Sequence, residues 1–348
     1  MAMNKSVKYG TGGALLLGTG NALLNALNQM DSNKEFDWSR FFKAFAKGAL
    51  VGGAAGFTFG AFRDNKMTKV LEKTAGVSGY LNHKLRACRD ESAKDTLDKA
   101  NHLREQLHKK FGNQLAEYPT LHGSAIKGLS IEGSDVDVQV AFKQNTGTIA
   151  NVYEMVNDFC AEEYKDNSLT AVRSQKHSVG LSFKIANKDQ RIDIVPLRQV
   201  NNGTGDTYLF VGNNSFFGSP TYKKTNPKKQ LAAFQFTIKQ KKIIKLLKAW
   251  KIENRISIKS MHLEFLVDKA FKSNKMPADI DKCLLEVIRF IGHNITTLRF
   301  VDPGNSNNII SDTLTELQKV NIRDYCFKML DNIYEDERNV MDYFLVEI

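Results

Sequence analysis

The chain has 348 residues, 42% of them hydrophobic and 25% charged, the balance of an ordinary soluble globular protein with room for two or three packed units. Its formal net charge of +11 points to a polyanionic partner: a nucleoside triphosphate, nucleic acid or an anionic membrane surface. Four scattered cysteines, Cys88, Cys160, Cys283 and Cys326, form no CxxC pair, which argues against a structural zinc site and a disulfide framework and suits a reducing compartment.

The first 64 residues differ from the rest. Residues 9–30 and 48–62 carry no charge, and a charged stretch, 31–40, lies between them. Gly48, Gly52, Gly56 and Gly60 recur at every fourth position, as do Gly10, Ala14, Gly18, Ala22 and Ala26. That spacing puts each set on one helical face. Glycine is a poor helix former in water, so such faces make sense where two helices approach closely, as in membrane helix pairs. Two readings stay open. One is a helical hairpin in or on a membrane, contacting lipid or a helix partner through residues 9–62 and tethering a cytoplasmic catalytic domain. The other is a tightly packed soluble hairpin. The second apolar segment gives roughly 23 Å of helix, short for a bilayer core. Asn21, Asn25 and Asn28 interrupt the first.

Residues 65–118 read as a helical spine. Positions 81–115 are charged, with Leu97, Leu103 and Leu107 at near-helical intervals, which predicts one or two long helices. The character changes over 119–200. Val136, Val138 and Val140 alternate with Asp135, Asp137 and Gln139, a strand pattern. Residues 178–185 read as a second strand, 187–189 as a turn and 191–195 as a third strand. Residues 201–227, rich in Gly, Asn and Pro, read as a loop, and from Gln230 onward the periodicity is helical.

The chemistry lies in residues 121–138, Leu-His-Gly-Ser-Ala-Ile-Lys-Gly-Leu-Ser-Ile-Glu-Gly-Ser-Asp-Val-Asp-Val. Asp135 and Asp137 are two apart on a strand, so their carboxylates share a face. Asp193, in Ile-Asp-Ile-Val-Pro, sits on another apolar strand that can lie beside them. Three carboxylates on one sheet face repel one another unless a cation sits between them. Oxygen-only ligands suit Mg²⁺ or Mn²⁺. Gly123 allows a phosphate chain close to the backbone, and the Ser124 hydroxyl and neighbouring N–H groups can donate to phosphate oxygens. Two divalent ions there would activate an attacking hydroxyl and stabilise a pyrophosphate leaving group.

This combination resembles the polymerase-β-type nucleotidyltransferases, whose signature is Gly-Ser, a spacer, Asp-x-Asp on a strand and a third Asp downstream. The form here, Gly-Ser-x3-Gly-Leu-x4-Ser-Asp-Val-Asp, is most similar to the branch of oligoadenylate synthetases, cyclic GMP-AMP synthase and the bacterial cyclic-oligonucleotide synthases, the CD-NTases; archaeal-type CCA-adding enzymes are near relatives. Residues 225–228 (Thr-Asn-Pro-Lys), 243–251 (Ile-Ile-Lys-Leu-Leu-Lys-Ala-Trp-Lys), 259–264 (Lys-Ser-Met-His-Leu-Glu) and Val301-Asp302-Pro303 followed by Asn307-Asn308 extend the likeness.

The resemblance implies an α+β fold. A mixed-sheet nucleotidyltransferase palm would occupy 119–200, a helical nucleotide-binding domain 201–348 and the helical spine 65–118; the likeness covers roughly residues 85–325, and the N-terminal hairpin, 1–64, matches nothing in the family's core. It implies that Asp135, Asp137 and Asp193 are catalytic and hold two Mg²⁺ or Mn²⁺ ions, that Gly123 and Ser124 hold the triphosphate, and that Lys248, Lys259 and Ser260 contact its phosphates. For the Lys248 helix the residues agree in part: Lys241, Lys245 and Lys248 fall on one face. The activity implied is joining of nucleoside triphosphates with pyrophosphate release, making a cyclic or linear oligonucleotide messenger in bacterial antiviral defence. Two rivals stand beside it: CCA-adding or poly(A)-type transfer to RNA, with nucleic acid as acceptor or activator, and a catalytically weak, membrane-tethered nucleotide sensor. His122 and His177 lie near these motifs without a partner legible in the sequence.

Overall fold

Apolar residues at every second position make the strands that carry Asp137 and Asp193, because a strand turns alternate side chains to opposite faces. In the computed structural model, which describes residues 63–346 apart from 186, 201–202 and 213–220, that alternation builds a seven-stranded mixed sheet. The hairpin read from residues 9–62 lies outside the described residues, among which no helix is long and apolar enough to cross a membrane.

The chain divides into two compact units, residues 84–328 and residues 1–83 with 329–348. In the second unit, residues 63–74 are helical and the helix α1, Gly76–Ala87, begins. There Met67, Leu71, Tyr80 and Phe344 are buried, Tyr80 donates its hydroxyl to the Phe344 carbonyl at 2.5 Å, and Arg63 pairs with Asp342.

The larger unit carries the sheet. Its strands are β1 (Thr120–His122), β2 (Val136–Phe142), β3 (Leu169–Ser174), β4 (Val179–Ile185), β5 (Lys188–Gln199), β6 (Thr207–Val211) and β7 (Thr221–Thr225). The order is β1-β2-β5-β4-β3, with β6 beside β5 and β7 beside β6. β5 is the organising strand. One edge pairs in parallel with β2; the other pairs with β4 over its first half and with β6 over Leu197–Gln199. Val136, Val138, Val140, Val179, Leu181, Phe183, Ile192 and Ile194 face a buried core shared with two helices, α2 (Ala93–Phe111) and α4 (Ile149–Asp158); between them in sequence lies the one-turn helix α3 (Gly123–Lys127). Thr148 caps α4 with a reciprocal Asn151 bond, which fixes where that helix starts.

Past the sheet come α5 (Pro227–Ala232), α6 (Ile238–Glu253), α7 (Ser260–Ser273), α8 (Ile280–Asn294), the hairpin β8 (Val301–Asp302) with β9 (Asn305–Ile309), and α9 (Glu316–Glu335). Asn226 caps α5, with Pro227 in its first turn, and a Thr237–Gln240 capping box starts α6. α6 is buried along Ile243, Ile244, Leu246, Leu247 and Trp250.

Three expectations are corrected. Residues 201–227 are not simply a loop: β6 and β7 fall inside them, so the sheet runs beyond residue 200 into the segment assigned to the helical domain. The stretch after Gln230 is not wholly helical, because β8 and β9 interrupt it. The last part of the chain, from 329, belongs to the smaller unit rather than to the helices around α6.

Candidate active site

The site follows from strand register. Asp137 pairs with Asp193 across the parallel β2–β5 ladder, His122 pairs with Asp137 from β1, and Gly180 pairs with Asp193 from β4. Residues in register project to the same face, so His122, Asp137, Asp193 and Gly180 form one row across four strands. Asp135, two residues before Asp137, shares that face by alternation. The opposite face is the apolar core, so the acids are held on a rigid support.

Two glycines make room for this row. Gly123 has φ +74°, and a Cβ there would lie 1.8 Å from Asp137 Oδ2. Gly180 has ordinary backbone, but a Cβ there would lie 2.2 Å from Gln175 Nε2 and 3.2 Å from Asp193 Oδ1. It thereby lets Gln175 reach over β4 and donate to Asp193 at 3.2 Å. Gly123→Ala is expected to displace the Asp137 carboxylate as well as strain the turn. Stability should fall by on the order of 1–3 kcal/mol in thermal unfolding, and the crystal structure of the variant should show Asp137 rotated away from its wild-type position.

Electrostatics mark the same residues. The Asp137 carboxyl is pushed up to about 6, first by burial and then by the negative charges of Asp193 and Asp135, with Lys127 and Lys248 opposing. Asp193 is raised too, by burial and by Asp135, against the Gln175 hydrogen bond. Like charges on a half-buried face are held at a cost that a cation would offset.

Would these residues fit such a cation? Their donors are all carboxylate oxygens, the set that hard divalent ions take. Among the described residues no three His, Cys, Asp or Glu side chains converge at metal-ligand spacing. Asp135 lies 3.5 Å from Arg191 in an exposed ion pair, and Asp193 Oδ1 accepts from Gln175. An exposed pair of that length stabilises by at most about 1 kcal/mol and is readily exchanged for a metal ligand. The donor set therefore fits Mg²⁺ or Mn²⁺.

A cleft of about 480 Å³ is lined by Asp137 but not by Asp135 or Asp193, and its size is within the roughly 300–1,000 Å³ range of small-molecule sites. Gly123, Ser124, Lys127, Asp137, His177 and Ser178 are among its lining residues, as are Lys223, Lys259, Glu264 and Asp302. Of the residues expected from sequence, Gly123, Ser124, Asp137 and Lys259 thus share one cavity. Ser260 opens α7 directly beside Lys259.

Lys248 is placed differently from the expectation. Its ammonium is buried behind the Gly123–Leu129 segment, where it donates to the Leu129 carbonyl at 2.9 Å. Burial holds it down to about 8, with Glu264 opposing and Lys251, Lys245 and Lys127 adding to the depression. The stripe that Lys248 shares with Lys241 faces this segment, since Lys241 Nζ lies 3.5 Å from the position of a Cβ on Gly128.

Sequence reasoning gave no role to Lys127 or Lys223. Lys127 donates to Glu264 at 2.7 Å, both side chains nearly buried, and its ammonium lies 5.4 Å from the centre of the Phe234 ring. Its place at the end of the one-turn helix that starts at Gly123 was the available signal. Lys223 on β7 lies close enough to Lys259 for each to feel the other's charge, and the strand carrying it was read as loop.

No protein-family model matches the chain, and no curated protein matches it in sequence. Solved structures do match in fold. CdnC from E. coli MS115-1, solved with ATP, shares 17% identity at TM-score 0.53, over 70% of this chain and 86% of that one. The Bradyrhizobium diazoefficiens CD-NTase CdnG, solved with GTP, shares 12% at TM-score 0.60, over 77% and 94%. The Vibrio cholerae cyclic AMP-GMP synthase DncV, holding a linear pppA(3′,5′)pG intermediate, shares 12% at TM-score 0.53, over 80% and 83%. The chain has the α+β fold of these nucleotidyltransferases, as the resemblance implied.

Proposed function

We propose that the protein is a metal-dependent nucleotidyltransferase that joins nucleoside triphosphates with release of pyrophosphate. The observation that carries this reading is the Asp137–Asp193 pair, in register across β2 and β5, with Asp137 lining a cleft and Asp135 two residues before it. Asp135, Asp137 and Asp193 would hold two Mg²⁺ or Mn²⁺ ions. When bound, such ions supply activation of the attacking hydroxyl and charge stabilisation at the transferring phosphoryl group.

The chain's own contributions follow from its geometry. Gly123 lets a triphosphate approach the backbone beside Asp137, with the Ser124 hydroxyl as a donor; among the described residues Ser124 Oγ is otherwise engaged only with Ser130 Oγ, at 3.3 Å. Lys259, which lines the same cleft, and Ser260 beside it would contact the phosphates. Lys248 acts at one remove, holding the Leu129 carbonyl and so the segment that carries Ser124. Gln175 orients Asp193, and the apolar core behind β2 and β5 keeps the carboxylates from moving.

The finer reading is a cyclic or linear oligonucleotide messenger, acting in bacterial antiviral defence. Its support is the fold shared with CdnC, CdnG and DncV over most of their lengths, together with cations lining the cleft. The test is incubation of the purified chain with mixed labelled triphosphates and Mg²⁺ or Mn²⁺, followed by phosphatase treatment, chromatography and mass spectrometry. A phosphatase-resistant product is expected, and Asp135→Ala with Asp137→Ala should abolish it. Product that appears only when tRNA or oligo-RNA is added would instead favour RNA transfer, an activity compatible with the fold because the Cid1 poly(U) polymerase also shares it (11% identity, TM-score 0.51, over 74% of this chain and 94% of that one). Tight triphosphate binding with no product under any metal would favour the sensor reading.

A further inference from the structure

The turn between β3 and β4, residues 175–178, is built more tightly than a hairpin connection requires. Tyr153 sits under it: its hydroxyl accepts from the Gln175 N–H at 2.9 Å and lies within hydrogen-bond distance of the Gln175 and Ser178 carbonyls. The Gln175 N–H also donates to the Ser178 carbonyl, and Ser178 Oγ donates to Gln175 Oε1 at 2.8 Å. That second bond leaves the Gln175 amide nitrogen for Asp193. On the outer side, Gly212 N–H donates to the Lys176 carbonyl at 2.7 Å, which pins the turn to the end of β6.

His177 is the residue this framework presents. It lines the cleft, and its Nδ1 lies 2.8 Å from the Phe210 carbonyl. A carbonyl oxygen only accepts, so Nδ1 carries the proton in that bond. In the neutral ring Nε2 is then a fixed acceptor. Among the described residues the only hydrogen bond of the His177 ring is the one to Phe210. The turn therefore orients Asp193 through Gln175 and brings to the cleft lining a ring whose Nε2 is an acceptor.

We infer that His177 Nε2 accepts a hydrogen bond from a ribose hydroxyl of the acceptor nucleotide, so that the site selects ribonucleotides on its Asp193 side. Carboxylates and phosphates offer no proton to such a nitrogen, whereas a sugar hydroxyl does. The inference rests on the cleft being a nucleotide site, as proposed above. A half-buried acceptor that loses its partner when a ligand covers it disfavours a ligand lacking the hydroxyl, which is how such sites reject deoxy analogues.

The experiment is calorimetric titration of the full chain, in Ca²⁺, with ATP and GTP and with their 2′-deoxy and 3′-deoxy forms. Wild type is expected to bind the ribonucleotide about fivefold to tenfold more tightly than one deoxy form. His177→Asn keeps a donor where Nδ1 stands and removes Nε2, so it should erase that preference; His177→Gln, whose amide oxygen reaches toward the Nε2 position, should restore much of it. Equal binding of ribo and deoxy forms by wild type overturns the inference, as does an Asn variant that keeps the wild-type ratio. The comparison on wild type does not depend on any variant folding. A wild type that discriminates as expected but releases no pyrophosphate supports the His177 contact while overturning the proposed transferase. Absence of any nucleotide binding overturns both.

Discussion

In the metal-free protein at pH 7.5, Asp137→Asn is expected to unfold at a higher temperature than wild type. The Asp137 carboxyl is held up to about 6 by burial and by Asp193 and Asp135, against 3.8 for an ordinary aspartate. A folded-state pKa above the unfolded one contributes stability that is complete below the unfolded value, near pH 4, and is lost as pH rises through 6. Above pH 6 the folded protein carries a buried charge at a cost on the order of 2 kcal/mol. The neutral amide removes that cost, and melting should rise by roughly 3–6 °C. Wild type without metal should lose stability between pH 4 and pH 6.5 more steeply than the variant, in which Asp193 is still raised by burial and by Asp135. Adding Mn²⁺ should reverse the order, stabilising wild type and leaving Asp137→Asn unmoved. Nucleotidyl transfer by the variant should drop on the order of 10³-fold or more. Differential scanning fluorimetry across pH, with and without Mn²⁺, checks the first part. A wild type whose melting temperature is indifferent to divalent ions would refute the assignment.

Glu264 gives the second large effect. Its carboxylate accepts from Lys127 at 2.7 Å and lies near Lys248, and all three side chains are almost wholly buried. Glu264→Ala removes the hydrogen-bonded carboxylate of Lys127 and a charge that steadies Lys248, leaving Asp137 to offset both ammonium groups. Breaking a buried pair from one side costs on the order of 3–5 kcal/mol. The opposite partner change, Lys127→Met with Glu264→Met, removes both charges of the pair and should recover most of that loss. Chemical denaturation of the three proteins checks it: the single variant well below wild type, the double variant between them or level with wild type. Loss in the double as large as in the single would mean that packing, not charge, holds this junction.

Much of the catalytic floor was legible because its signal is local. Val136, Val138 and Val140 alternating with Asp135 and Asp137 force both a strand and a shared acidic face, and Ile-Asp-Ile-Val around Asp193 repeats the pattern. That these two strands are neighbours is not local information; it depends on β5 taking β2 on one edge and β4 on the other. β6 escaped notice because Thr207–Val211 is a short run between glycine- and asparagine-rich segments whose composition dominates any window. β7 has little apolar character to read, being Thr-Tyr-Lys-Lys-Thr, and it is paired only with β6. Lys248 shows the limit of helical periodicity. The pattern correctly grouped it with Lys241, but a helical stripe does not reveal which side of the Gly123–Leu129 segment it meets. Gln175, which orients Asp193, was invisible, because its role exists only once β4 places Gly180 beneath it.

The parallel pairing of β2 with β5 also bears on how the chain reaches its native state. β3, β4 and β5 succeed one another as an antiparallel meander, a local arrangement that closes short loops. β2 precedes them and joins only at the far edge of β5, across the whole intervening segment. Loop closure of that kind is slow and is rewarded late. Asp137 and Asp193 therefore become neighbours in one of the last steps of assembly. A chain arrested with only its meander formed would possess strands, yet none of the charge crowding that identifies the mature site.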